Sequence, residues 1–309
     1  MFRKKYVFFL VLLVLIVLFH DKLSYENVQA QGTKLIEGVE RKWRDLATPE
    51  LSGLEGRAVM VMDRETGELL YGDHERKKMY PASTTKILTA LILLEKSDPD
   101  VQVTVGDEVL QRAADESSAG LVPGEKLTVR DLTAAMLLPS GNDAARTAAV
   151  YVALLETGEE MEPERAMDYF AGMMNEKAEE LGATRSHFVN PHGLHDPDHY
   201  TTAYDMALIA RGALDNDIFR SIVGQTEYRT GTAAGQGAHV FENRNKLLGG
   251  EWQFQGASGV KTGYTDDAGY CLVGSAVRDN RELITVVLHS SEQGVWSDTV
   301  KLLDYGFGV

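Results

Sequence analysis

From about residue 105 to 223 the chain reads mostly as helix, and the segments on either side of that block read as strands. Ala58 to Met62 and Leu69 to Tyr71 are short apolar runs joined by the turn Arg64-Glu65-Thr66-Gly67. Gly259 to Thr262, Tyr270 to Val277 and Leu283 to His289 are apolar or alternating runs set off by turn-forming residues. In between, Val129–Leu138, a helix capped by Asp143 and running to about Leu155, a helix opened by Pro163 and ending near Gly182, and Ala203–Leu214 follow helical spacing. Exposed strand edges must be paired or covered, so the two ends of the chain are expected to meet in one sheet. The predicted class is α/β in the α+β sense: a mostly antiparallel sheet flanked by helices, with a large helical insertion. A final helix is predicted at Trp296–Tyr305, and an amphipathic one at Lys34–Leu46, before a linker at Pro49–Gly56.

The chain has 309 residues and a formal charge of -15. A surface that acidic argues against nucleic-acid binding and against electrostatic docking on anionic lipid. Met1–Ala30 has the form of a targeting segment: Arg3, Lys4 and Lys5, then an apolar run from Val7 to Phe19, then Val28-Gln29-Ala30 as a cleavage site. Export with cleavage after Ala30 is expected, with an uncleaved N-terminal anchor as the alternative. The mature chain, 31–309, would be one catalytic domain with a mostly helical subdomain at about 105–223. Cys271 is the only cysteine, which excludes an internal disulfide and a cysteine metal cluster.

Ser83 stands three residues before Lys86, at the head of the apolar run Ile87, Leu88, Ala90, Leu91, Leu93, Leu94. On a helix this spacing places both side chains on one face. A serine hydroxyl needs an adjacent base to act as a nucleophile, and a lysine becomes one when burial or nearby cations lower its pKa. The ordinary alternative is an N-cap serine with a surface lysine one turn on. Ser140-Gly141-Asn142 breaks two apolar helices, and is either a plain turn or a loop presenting a hydroxyl and an amide to a cleft. Lys261-Thr262-Gly263 lies in a strand-like run. It is either a solvated edge or a site for an anionic substrate end, with Gly263 marking a close backbone approach. His192 and His195 stand in a Pro/Gly loop without a supporting ligand set, so no metal is expected.

Taken in order, Ser-x-x-Lys, Ser-x-Asn and Lys-Thr-Gly form a set found in β-lactamases and penicillin-binding proteins. The chain resembles the low-molecular-mass penicillin-binding proteins of the D-alanyl-D-alanine carboxypeptidase family. The resemblance runs through Tyr80-Pro81-Ala82-Ser83-Thr84-Thr85-Lys86, Leu138-Pro139-Ser140-Gly141-Asn142-Asp143-Ala144, Phe188-Val189-Asn190-Pro191-His192-Gly193-Leu194 and Gly259-Val260-Lys261-Thr262-Gly263-Tyr264-Thr265. It covers about residues 35 to 307 and implies a β-lactamase/DD-peptidase-like fold.

It also implies roles. Ser83 is the acylated nucleophile, Lys86 its base, and Ser140 a proton relay to the leaving group. Asn142 holds the substrate amide, and Lys261 and Thr262 bind its terminal carboxylate. The backbone N–H groups of Ser83 and of Tyr264, just after Gly263, form the oxyanion hole. The implied partners are a peptidoglycan stem peptide ending in D-Ala-D-Ala and β-lactam antibiotics as covalent inhibitors. No cofactor, no C-terminal β-rich domain and a monomer are expected. A DD-endopeptidase, a β-lactamase and an inactive wall-binding protein remain as alternatives. Against a class A β-lactamase, no glutamate between Asn142 and Lys261 is followed four residues on by asparagine.

Overall fold

The computed structural model describes residues 51–112, 116–231 and 238–309. The leader Met1–Ala30 and the helix expected at Lys34–Leu46 lie outside the described residues.

Five strands form one antiparallel sheet: β1 (Ala58–Asp63), β2 (Leu69–Asp73), β7 (Ala257–Thr265), β8 (Gly269–Arg278) and β9 (Arg281–Ser290), in the order β2-β1-β9-β8-β7. The sheet is built from the two ends of the chain, with Ala58 opposite Leu288 and Asp63 opposite Leu283. β1 is buried from end to end. Ala58, Met60 and Met62 join the main apolar core, while Val61 reaches toward Gly306 on the other face. A strand covered on both faces shows an unbroken apolar run, not alternation.

The turns follow from local chemistry. Asp63 accepts from the Thr66 N–H and hydroxyl, and Gly67 takes φ +73° to close the β1–β2 hairpin. Asp279 and Asn280 both adopt positive φ, the two-residue turn that matches strand twist between β8 and β9.

Seven helices accompany the sheet among the described residues: α1 (Lys86–Lys96), α2 (Val129–Leu137), α3 (Asn142–Thr157), α4 (Pro163–Glu180), α5 (Ala203–Leu214), α6 (Asp217–Val223) and α7 (Gly294–Gly308). Small two-stranded ribbons, β3 (Gln102–Thr104) with β4 (Lys126–Thr128) and β5 (Glu227–Arg229) with β6 (Val240–Glu242), were not anticipated. Helix starts carry their own signals: a Thr128–Asp131 capping box for α2, Thr202 for α5, Asn216 for α6 and Pro163 in the first turn of α4.

One expectation is corrected. Asp143 does not cap α3; Gly141 stands at that position, and Asp143 lies inside the helix with its carboxylate turned to a distant loop. The helical block also packs on the sheet. α5 packs on β9 and β1, α7 packs on β9, β8 and β1, and residues 53–309 form one compact unit. α1 runs through the middle of the helical layer against α2, α3, α4 and α5, and Ile87 through Leu94 are all buried. A helix apolar on every side is stable only as a core element. Each fully buried leucine or isoleucine in it contributes about 2 kcal/mol.

Candidate active site

α1 is preceded by one tight 3-10 turn, Ala82–Thr85, that presents Ser83. The turn is held by its own threonines: Thr84 Oγ1 donates to the Pro81 carbonyl at 2.7 Å and Thr85 Oγ1 to the Ala82 carbonyl at 2.8 Å. Ala82 takes φ +47°, a conformation an L-residue holds only when its surroundings impose it. Ser83 therefore sits ahead of α1 without capping it. The reading of Lys86 as a surface residue is excluded, because its side chain is completely buried.

Lys86 Nζ lies 2.9 Å from Ser83 Oγ, 2.6 Å from Asn142 Oδ1 and 2.7 Å from the His192 carbonyl oxygen. The last partner comes from the loop at 190–194. There Asn190 Oδ1 accepts from the N–H groups of His192 and Gly193, and Thr89 Oγ1 on α1 donates to the Pro191 carbonyl. Gly193, at φ +85°, passes so near the Ala82 carbonyl that a Cβ there would stand 1.9 Å from its oxygen. Only glycine lets this loop seat against the nucleophile's turn.

Burial holds the Lys86 ammonium well below the usual lysine range. The positive charges of Lys261, Arg244 and Arg146 push the same way, with Asp143 opposing. A neutral amine has two N–H donors and one lone pair. Two of the neighbours, the Asn142 amide oxygen and the His192 carbonyl, can only accept. The lone pair is then left for the Ser83 hydroxyl proton.

Asn142 opens α3, and its Nδ2 donates to Glu116 Oε2 at 3.1 Å. Glu116 also accepts from Arg146, one turn further along α3. Asp143 gathers the adjoining loop by accepting from the Ser118 hydroxyl and from the N–H groups of Ala119, Gly120 and Leu121. Ser140, buried and at φ +68°, enters the same cleft just before the helix.

The facing wall is β7, the edge strand of the sheet. A Cβ at Gly263 would lie 2.9 Å from the Ser83 backbone nitrogen and 3.1 Å from Ala82 Cβ, so glycine allows the strand to pass the nucleophile's turn. Lys261 is buried and donates to the Thr262 carbonyl at 2.9 Å. Burial, then the charge of Arg244, brings it down to about 7. Tyr264 is half exposed, with its ring turned to Tyr270 and its hydroxyl on Asp266.

Ser83, Ser140, Asn142, Thr262, Gly263 and Tyr264 thus line one cleft of about 620 Å³, with Glu116, Ser117, Arg244 and Trp296 also on its walls. Lys86 and Lys261 sit behind these walls.

Residues 46–292 match the model of the D-alanyl-D-alanine carboxypeptidase family. The chain is 34% identical over 260 residues to D-alanyl-D-alanine carboxypeptidase DacF of Bacillus subtilis (strain 168), covering 82% of this chain and 62% of that one. It is 34% identical over 272 residues to the D-alanyl-D-alanine carboxypeptidase of Streptomyces sp. (strain K15), covering 84% and 89%. The crystal structure of the Streptomyces K15 DD-transpeptidase superposes with a TM-score of 0.76 at 32% identity, covering 84% of this chain and all of that one. The carboxypeptidase of Mycobacterium tuberculosis H37Rv superposes with a TM-score of 0.74 at 30% identity, covering 85% and 95%.

The chain belongs to the D-alanyl-D-alanine carboxypeptidase family.

Within this serine-peptidase fold, several members of the site escaped the sequence reading. Arg244 reaches the cleft from the segment before β7 and donates to Ser117 Oγ at 2.9 Å. Glu116 and Arg146 form a pair less than a tenth exposed. The His192 carbonyl holds Lys86 through main-chain atoms, which no side-chain identity reveals. The one available signal was the loop sequence Asn190-Pro191-His192-Gly193, whose asparagine and glycine both serve its geometry.

Proposed function

We propose that this chain removes the terminal D-alanine from peptidoglycan stem peptides through an acyl-enzyme on Ser83. The observation that carries the reading is the buried Lys86, flanked by two obligate acceptors and pointed at Ser83.

Ser83 Oγ attacks the carbonyl of the D-Ala–D-Ala peptide bond as its proton passes to neutral Lys86. The oxyanion forms between the N–H groups of Ser83 and Tyr264, donors fixed by the 3-10 turn and by β7. The proton then moves by way of Ser140 to the departing amine, the C–N bond breaks and D-alanine leaves. Water, activated by the same lysine, cleaves the ester and restores the serine. Lys261, Thr262 and Arg244 supply cations and a hydroxyl for the terminal carboxylate. β7 has an open edge, so an extended substrate can lie along it as an added strand. A β-lactam enters by the same attack, but its leaving group stays tethered and blocks the path of water. A peptidoglycan substrate and the leader-like segment at Met1–Ala30 both support a place outside the cytoplasm.

A peptide ending in D-Ala-D-Ala, assayed for D-alanine release alongside burst labelling by a fluorescent penicillin, tests the proposal. Steady D-alanine release with a long-lived penicilloyl adduct is expected. Rapid, sustained penicillin hydrolysis without D-alanine release would assign a β-lactamase instead. A second reading, favoured by the likeness to the Streptomyces K15 DD-transpeptidase, keeps the acyl-enzyme and changes the acceptor. Added amine acceptor would then capture the acyl group in preference to water.

A further inference from the structure

Glu116 takes no part in the proton transfers set out above, yet it holds two of the groups around them. Its Oε2 accepts from Asn142 Nδ2 at 3.1 Å, and its two oxygens accept from Arg146 Nη2 at 3.0 and 2.7 Å. The side chains of Glu116 and Arg146 are 8% and 5% exposed. Asn142 and Arg146 stand four residues apart on α3 and so share a face, which Glu116 bridges from the loop opposite.

An asparagine amide fits most sites either way round, and its neighbours decide which. With nitrogen on Glu116, the amide oxygen faces Lys86 and takes one of its N–H groups. Turned round, the amide would present an N–H to the neutral amine and occupy the lone pair that Ser83 needs. The carboxylate of Glu116 accepts and cannot donate, so it admits only the first arrangement. It also lies against the guanidinium of Arg146, whose charge would otherwise stand uncompensated beside the lysine.

We infer that Glu116 is a positioning residue: it fixes the Asn142 amide with its oxygen on Lys86 and neutralises Arg146, leaving the Lys86 lone pair to Ser83. The inference rests on the acyl-enzyme reading.

The charged and titratable groups around Lys86 are Lys261 on β7, Arg244 before it, Arg146 and Asp143 on α3, His192 and His199 from the segment 190–202, and Glu116 behind Asn142. Of these, Arg146 disfavours the protonated amine, and Glu116 offsets Arg146. Removing the carboxylate leaves more positive charge near Lys86, so its proton is lost at lower pH.

The test is the second-order rate of acylation by a fluorescent penicillin across pH, for wild type, Glu116→Gln and Glu116→Gln/Arg146→Met. For Glu116→Gln the rate at its optimum should fall about tenfold, the size expected for a lost bond to a charged group. The acidic limb of its profile should move to lower pH. In the double variant the limb should return toward its wild-type place while the rate stays low. A residue that only held the fold together would slow acylation without moving the limb. The double variant removes both charges of this buried pair, so it carries the test if Glu116→Gln does not fold; wild-type acylation by it overturns the inference. A Glu116→Gln enzyme with wild-type rate and limb also overturns it. So does one that acylates normally and loses only hydrolysis of the adduct, because Glu116 would then be activating water. A wild type that does not label would instead bring down the acyl-enzyme reading itself, a result distinct from all of these.

Discussion

Two lysines lie buried on opposite sides of one cleft, and the reaction proposed above needs them in opposite states. Lys86, inside α1, touches a serine hydroxyl, an amide oxygen and a main-chain carbonyl. Lys261, on β7, donates to the carbonyl of its neighbour Thr262. Burial lowers both. Lys86 also feels Lys261, Arg244 and Arg146, whereas Lys261 feels Arg244 and keeps its proton to about 7. Burial alone therefore does not separate a base from a cation; their contacts do, since Lys86 meets a hydroxyl that can give it a proton and Lys261 donates to a carbonyl. Once Lys86 is neutral, it no longer repels the proton on Lys261. The pair is pushed apart as two carboxyls of a hydrolase are, with one group set to take a proton and the other to keep it.

Four experiments break or sharpen that contrast, in order of expected effect. Ser83→Ala should abolish both penicillin labelling and D-alanine release while the melting curve stays as in wild type; retained labelling would mean a second nucleophile. Lys86→Arg keeps the charge and loses the base, because arginine does not give up its proton in a protein. Acylation should fall by roughly 10³-fold or more, and near-normal acylation would reduce Lys86 to an electrostatic part.

Gly193→Ala attacks the Lys86 side without touching its chemistry. Its Cβ would press on the Ala82 carbonyl, so the loop must withdraw and take the His192 carbonyl with it. A loss of about 2 kcal/mol, or roughly 5 °C in Tm, is expected together with slower acylation. Lys261→Arg is the mildest change. In wild type Lys261 is a cation below about pH 7 and neutral above it, so kcat/KM for a peptide with a free terminal carboxylate should decline as pH rises past that point. Arginine stays charged, and its profile should run flat on the alkaline side. The same decline in both enzymes would show that Lys261 does not bind the carboxylate.

What the sequence made legible was set by local chemistry. The β1–β2 turn, the Ser83 turn ahead of an apolar helix and the glycine in β7 each rest on residues adjacent in the chain. Asp143 was misread for the same reason: an aspartate near a helix start is ordinarily its cap, and nothing local shows that its carboxylate reaches Ser118–Leu121 instead. Arg244, Glu116 and Arg146 were missed because their meaning lies in partners on other elements. A charged residue in a sequence reads as surface until its counter-ion is known to be buried with it. Periodicity alone also left open what covers each apolar face, since it says that α5 has one and not that β9 packs against it.

The sheet order has a consequence in time. β9 lies between β1 and β8, so the strand that joins the two ends of the chain is the last of the five to be synthesised. Until it pairs with β1, with Ala58 opposite Leu288, β7 has no fixed place opposite Ser83. A nascent chain carries Ser83 and Lys86 early, while β7, with Lys261 and Tyr264, is not yet held opposite them. Contacts between such distant segments form slowly and late. On the reaction proposed above, Ser83 therefore gains its facing wall only when the sheet closes.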